Sequence, residues 1–274
     1  MTQDKSKEIV STRVFNAEPD EYDPSQPRIG RRESEPHSTE ITYIHDVLKT
    51  NFPQHHPLWD LHHYFEHEGE DIDVQFDISF FLNYSIPTTL SSYHAAEHGN
   101  RVPDLAINIL SKSTWRSDFS ENLEYARLLK IPVYAVFAPF DVATRPYQPP
   151  FARAYLLQGD GSYRFIDLRT AIPEARSSAP FPQQDQLDTG TLLPFNFGLV
   201  KLEKTHEKQK PLFRLVLIDK ETSRMFLSKV ELQERKIEQE KQRAEQEKQR
   251  AEQEKQRAEQ YLALLRKNGL EPRE

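Results

Sequence analysis

The fold turns on residues 102 to 126, VPDLAINILSKSTWRSDFSENLEYA. Leu105, Ala106, Ile107, Ile109 and Leu110 form an apolar run too short for most helices, and it reads as a buried strand. Ser111 to Ser117 is a polar turn, and Asp118 or Ser120 can cap a helix that begins near Phe119 and carries Leu123, Ala126, Arg127 and Leu128. Pro132 stops that helix, and a second apolar strand follows at Val133 to Phe137. A strand, a helical crossover and another strand suit a parallel pair.

Working outward, Ile41, Ile44, Val47 and Leu48 follow helical spacing after Ser38 or Thr39 as cap. Leu58 to His67 reads as another helix, and Ile72 to Tyr84 alternates as one or two strands. A Gly159-Asp160-Gly161 turn joins strands at Ala154 to Gln158 and Tyr163 to Leu168. A Pro-rich linker or lid fills 169 to 190, and further strands fall near Phe197 to Leu202 and Leu212 to Ile218. The fold class expected is α/β (α+β): a mixed central sheet flanked by helices, followed by a long C-terminal helix. Residues 1–37, rich in Pro, Ser, Glu and Arg, read as a disordered tail, 38–227 as the domain, 228–268 as a charged helix and 269–274 as a tail.

The central block resembles the Uma-two family, bacterial candidate restriction endonucleases with the PD-(D/E)XK nuclease fold. Its pattern is a Pro-Asp, an apolar strand ending in Glu, a Ser-x-Ser-Thr turn, an Asp, and Glu-Lys-Leu opening a helix. The same frame here reads Pro103-Asp104, Asn108, Ser111-Lys112-Ser113-Thr114, Asp118 and Glu121-Asn122-Leu123. An upstream Asp-led strand is matched by Phe76-Asp77-Ile78-Ser79-Phe80-Phe81. The resemblance implies a restriction-endonuclease-like fold and Mg²⁺-dependent cleavage of DNA. Two carboxylates would hold the metal, and a lysine would stabilise charge or position the attacking water.

By the same resemblance the carboxylates belong at Asp77 and position 108, and the lysine at position 122. Both of the latter are asparagines. Asn108 can offer a carbonyl ligand, but Asn122 cannot act as a cation. Asp104, on the same face of its strand as Asn108, is a candidate rescue ligand, and Lys112 a candidate replacement lysine; the bland readings are a turn residue and a solvated loop lysine. Three readings stay open. The chain is a nuclease-fold protein with lost or weakened cleavage, kept for nucleic-acid binding or regulation; or an active Mg²⁺-dependent endonuclease; or a protein-interaction scaffold working through its C-terminal helix.

Charge bears on the choice. The net charge is −7, and Gln233 to Gln260 holds eight acidic and eight basic residues, so the rest of the chain carries all of it. An acidic body works against the phosphate contacts behind non-specific DNA affinity. There is no cysteine, hence neither disulfide nor thiolate metal site, and no apolar run approaches a bilayer's thickness. A soluble cytoplasmic protein is expected. His55, His56, His62, His63 and His67 cluster, and His63-Tyr64-Phe65-Glu66-His67 matches the H-x-x-E-H zinc string, which on a helix would put both histidines on one face. No clear third ligand accompanies it, so a His-rich surface helix is the plainer reading.

At the C-terminus Glu-Gln-Glu-Lys-Gln-Arg-Ala occurs three times, at 238–244, 245–251 and 252–258. Each heptad has a single apolar residue, whereas a stable coiled coil wants two. The helix expected over 228–267, ended by Gly269 and Pro272, reads as an arm for homo-oligomerisation or for a helical partner, or as a solvated single helix.

Overall fold

The structure, a computed structural model, describes residues 34–86, 89–206 and 209–268. The expected disordered tail up to residue 33 and the cap at Gly269 and Pro272 lie outside them. Helix α1 spans Glu35–Asn51 and buries His37, Glu40, Ile41, Tyr43, Ile44, Val47 and Leu48. Their spacing of three and four residues is one helical face. It starts ahead of the expected Ser38, because Pro36 in the first turn presets φ for a helix.

Strands β1 (His56–His67) and β2 (Glu70–Phe81) form a long hairpin. The two-residue turn has Glu68 at φ 53 and Gly69 at φ 83, the double positive φ that suits the twist of paired strands. The helix expected over Leu58–His67 is therefore a strand. Leu58, Leu61 and Phe65 are three and four apart, which imitates a helical face. The imitation arises at Asp60, whose φ of 51 breaks the alternation midway through β1. Beyond it His63 and Phe65 point inward while His62 and Tyr64 point out.

Strands β3 (Tyr93–His94) and β4 (Leu105–Ile109) follow, then helices α2 (Trp115–Asp118) and α3 (Glu121–Leu128), then β5 (Val133–Ala138). As expected, β4 and β5 are parallel, with Asn108 level with Val136. Strands β6 (Phe151–Leu157) and β7 (Tyr163–Leu168) form the expected hairpin. These seven make one mixed sheet in the order β3-β1-β2-β4-β5-β6-β7. Short strands β8 (Ile172–Pro173) and β9 (Gln186–Leu187) lie in the expected linker. They pair with β10 (Phe195–His206), itself antiparallel to β11 (Lys210–Asp219), as a smaller second sheet. Helix α4 (Lys229–Lys267) ends the described chain.

The larger sheet has two buried faces. One packs Ile78, Phe80, Ile107, Val133, Ala135 and Phe137 against α1 and the second sheet. The other buries Phe76, Ala106, Tyr134, Val136, Phe151 and Tyr155 with residues of α3 and the loops. Burial on both faces explains the unbroken apolar runs of β4 and β5. The mixed α/β class, the flanking helices and the long C-terminal helix are as expected.

Candidate active site

Strands β2 and β4 are antiparallel from Phe80 opposite Leu105 to Ile78 opposite Ile107, and there the ladder stops. The next two residues are Asp77 and Asn108. Their side chains take over the bonding that the backbones abandon. Asn108 Oδ1 accepts the Asp77 N–H at 3.3 Å, and Asp77 Oδ2 accepts the Ile109 N–H at 2.6 Å. Each residue thus satisfies the other strand where the two diverge, as buried backbone donors require.

The sequence brings four more residues to this fork. Asn108 Nδ2 donates to Asp118 Oδ1 at 2.8 Å and to the Tyr134 hydroxyl at 3.3 Å. Asn122 Nδ2, one turn after Asp118, donates to the same Oδ1 at 3.1 Å, and Tyr134 donates to the Asp118 carbonyl at 2.8 Å. From α1, His37 Nε2 approaches Asp77 Oδ2 at 3.3 Å. Asp77 keeps appreciable exposure (18% of its side chain), whereas Asn108, Asp118 and His37 are at 3–4%.

Two carboxylates share this buried space. Burial, and then the charge of Asp77, push Asp118 up to about 7, against the amide donors of Asn108 and Asn122, which favour its ionised form. Its Oδ2 is buried with no hydrogen-bond partner among the described residues. The Tyr134 phenol is raised by its own burial first and by Asp118 second, so it stays a neutral donor.

These residues do not fit Mg²⁺, which wants an octahedron of oxygens from one or two carboxylates and waters. Asn108 turns its carbonyl toward the Asp77 amide and its NH₂ toward Asp118. Flipping the amide would set its NH₂ against the Asp77 N–H, two donors together. Asp77 Oδ2 already serves Ile109 and His37. Among the described residues no group of three or more His, Asp or Glu side chains is placed to hold a metal.

The expected site residues thus divide. Asp77, Asn108 and Asn122 meet in one network with Asp118. Asp104 stays outside: its Oδ2 accepts from the Leu82 N–H at 2.8 Å and the Arg101 guanidinium at 3.1 Å. Four residues along a strand is about 13 Å, so facing the same way as Asn108 does not bring it near. Lys112 is exposed in the turn after β4. The zinc string fails for the same reason as Asp104, since His63 and His67 lie on a strand and not a helix. His63 is fully buried, its Nδ1 2.8 Å from the Leu61 carbonyl oxygen, and burial lowers it to about 4.

Sequence reasoning missed His37, Asp118 and Tyr134 as members of the site. Asp118 has a signal, since the family frame has an Asp at that place, but in the sequence it also suits a helix cap. His37 falls in the stretch whose composition points to disorder, and Tyr134 looks like one more apolar strand position.

No family model and no curated protein matches the sequence. A solved structure similar to this chain is a candidate nuclease of the DUF820 family from Anabaena variabilis. It is 15% identical, covers 55% of this chain and 73% of its own, and has a TM-score of 0.38. A likeness at that level leaves the reading of the site to its own geometry. No helix among the described residues is long and apolar enough to cross a membrane.

Proposed function

We propose that this chain is a restriction-endonuclease-like protein that has lost phosphodiester cleavage and is retained to bind nucleic acid or to regulate it. One observation carries the reading: the Asn108 amide lies between Asp77 and Asp118, donating to one carboxylate and accepting from the other residue's backbone. A glutamate there would have put three carboxylates together, a cluster that needs a cation. Asparagine removes that need and leaves a bonded core in its place. Asn122 completes the change, donating to Asp118 where the family frame has a lysine.

The surface beside the network supports contact with nucleic acid. Arg116 lies over the half-buried Trp115 at 4.5 Å, and the half-buried rings of Phe119 and Tyr147 stack at 4.0 Å. Arg153 then sits over the exposed ring of Phe165 at 4.2 Å, and Arg169 covers the buried Phe151 at the same distance. Interleaved arginine and aromatic rings suit phosphates and unstacked bases. Asp167 already pairs with both arginines, so the affinity expected is modest.

The test is cleavage of plasmid and single-stranded DNA with Mg²⁺ or Mn²⁺, comparing wild type, Asp77→Ala and the double variant Asn108→Glu/Asn122→Lys. Silence in wild type with salt-sensitive binding of single strands is expected. Wild-type cleavage that vanishes in Asp77→Ala would make this a working nuclease and overturn the proposal. Absence of any binding at low salt would remove the nucleic-acid role.

A further inference from the structure

Helix α4 runs 39 residues, about 58 Å, and none of its residues is buried. Along it Val230, Ile237, Ala244, Ala251, Ala258 and Leu265 recur at intervals of seven, so the line of repeat alanines extends into larger apolar residues at both ends. Val230 and Ile237 are 59% and 52% exposed, and Tyr261 and Leu264 more so. A straight helix lets a seven-residue line drift by about 20° per heptad. Over these five intervals that is about 100°, and only a left-handed supercoil with a partner turns it into one continuous seam.

The residues beside the line identify the partner. Three positions after each of its members, on one flank, come Gln233, Glu240, Glu247, Glu254 and Tyr261. Four positions after, on the other flank, come Glu234, Lys241, Lys248, Lys255 and Leu262. In a parallel pair related by a two-fold axis along the seam, the first flank of one helix faces the second flank of the other. Glu240 then meets Lys241 of a second copy, Glu247 meets Lys248, Glu254 meets Lys255, and Tyr261 meets Leu262. An antiparallel pair with Ala251 level and Ala244 opposite Ala258 would set Glu247 beside Glu254 and Lys248 beside Lys255. Alanine on the line lets the helices approach closely enough for both flanks to engage.

The side-chain bonding within α4 points the same way. The outer acids Glu238, Glu245 and Glu252 accept hydrogen bonds from Gln242, Gln249 and Gln256 of their own helix. Of the seam-flanking charges only Glu247 is engaged, by Arg243. Lys241, Lys248, Lys255, Glu240 and Glu254 make no ion pair among the described residues.

We infer that α4 is a self-recognition element that pairs two copies of this chain as a parallel, in-register helix dimer. The dimer stands or falls independently of the reading of the Asp77 fork. Its test is the mass of the full chain by sedimentation equilibrium over a concentration series. The expected result is a shift from 32.1 kDa toward twice that value. Charge reversal makes the orientation testable: Lys241→Glu/Lys248→Glu/Lys255→Glu and Glu240→Lys/Glu247→Lys/Glu254→Lys should each be monomeric alone, and their mixture should dimerise. Because the chain has no cysteine, Ala244→Cys and Ala258→Cys should each form a disulfide with its own copy on oxidation. A monomer at every concentration, with α4 helical by circular dichroism, overturns the inference. So does cross-linking confined to a mixture of Ala244→Cys with Ala258→Cys, the antiparallel signature.

Discussion

Replacing Asp118 with asparagine should stabilise the protein at high pH and destabilise it at low pH. The native state raises this carboxyl from 3.8 to about 7, through burial first and the Asp77 charge second. Between those two values the folded protein holds a proton that the unfolded chain releases. Stability therefore falls as pH rises through this window, is undiminished below it and stays at its lower level above it. At about 1.4 kcal/mol for each pH unit, the loss is about 4 kcal/mol. The substituted amide would carry no charge, and its Oδ1 would still accept from Asn108 and Asn122. Its NH₂, however, would occupy the place of Oδ2, which is buried without a partner, at a cost of about 1–3 kcal/mol. The variant should then be more stable than wild type by about 1–3 kcal/mol at pH 8, and less stable by a fraction of that at pH 4.5, when Asp118 is largely protonated. Urea titrations of both proteins at the two pH values read the difference directly, because other buried acids contribute equally to each and cancel. An equal loss at pH 4.5 and pH 8 would refute the placement of a buried, charge-strained carboxylate at the fork.

Three further outcomes follow from other parts of the fold. Glu40 is 2% exposed, and burial pushes it up to about 7 despite the Arg214 guanidinium at 3.2 Å, so Arg214→Ala should cost about 3–5 kcal/mol at pH 8 and less at pH 5, measured by the same titrations. Gly198→Ala would set a methyl 2.6 Å from Ile218 Cδ1 and 2.8 Å from Phe181 Cε1, and a lowered urea midpoint equivalent to about 1–3 kcal/mol is expected, with unchanged stability refuting the close packing of β10 on that loop. Ser228→Ala removes the side chain that caps Glu231 N–H at 3.2 Å in a reciprocal capping box, and should cost about 1 kcal/mol, seen as faster amide exchange in the first turn of α4 with no change near Ala251.

Much of the fold was legible because most of its elements obey simple periods. The unbroken apolar runs at Leu105–Leu110 and Val133–Phe137, joined by a capped helix, suit a buried parallel pair. The Gly159-Asp160-Gly161 turn announced its hairpin, and three identical heptads announced α4. What failed was local and physical. One left-handed residue, Asp60, shifted the inward positions of β1 from even to odd, so Leu58, Leu61 and Phe65 took helical spacing on a strand. The hairpin turn after it is Glu68-Gly69, without the Asn-Gly or Asp-Gly that marks such turns most clearly. The false helix in turn made His63 and His67 look like neighbours. At the fork, Asp77, Asn108 and Asn122 were singled out through the family frame, which also held Asp118 without giving it a role, while His37 and Tyr134 carried no signal. His37, Asp118 and Tyr134 come from three separate elements, and only the tertiary arrangement shows that they converge.

The fork also explains why an asparagine, and neither an acid nor a smaller residue, suits position 108. Where β2 and β4 part, the Asp77 N–H needs an acceptor and the Asp118 carboxylate needs a donor, both reachable from position 108. An amide is the one side-chain group of that length that offers each on adjacent atoms. Glutamate could serve the first need but would meet Asp118 with a second negative charge. Alanine would serve neither, leaving the Asp77 N–H without its acceptor and Asp118 with only the Asn122 donor, and an unmatched buried group costs more than the hydrogen bond itself is worth. Position 108 therefore holds the fork together where the two strands part. If this is so, Asn108→Ala should destabilise the protein more than Asn122→Ala, because Asn122 supplies only the second donor to an oxygen that Asn108 already holds. Equal losses in urea would mean that the fork is held by its backbone alone.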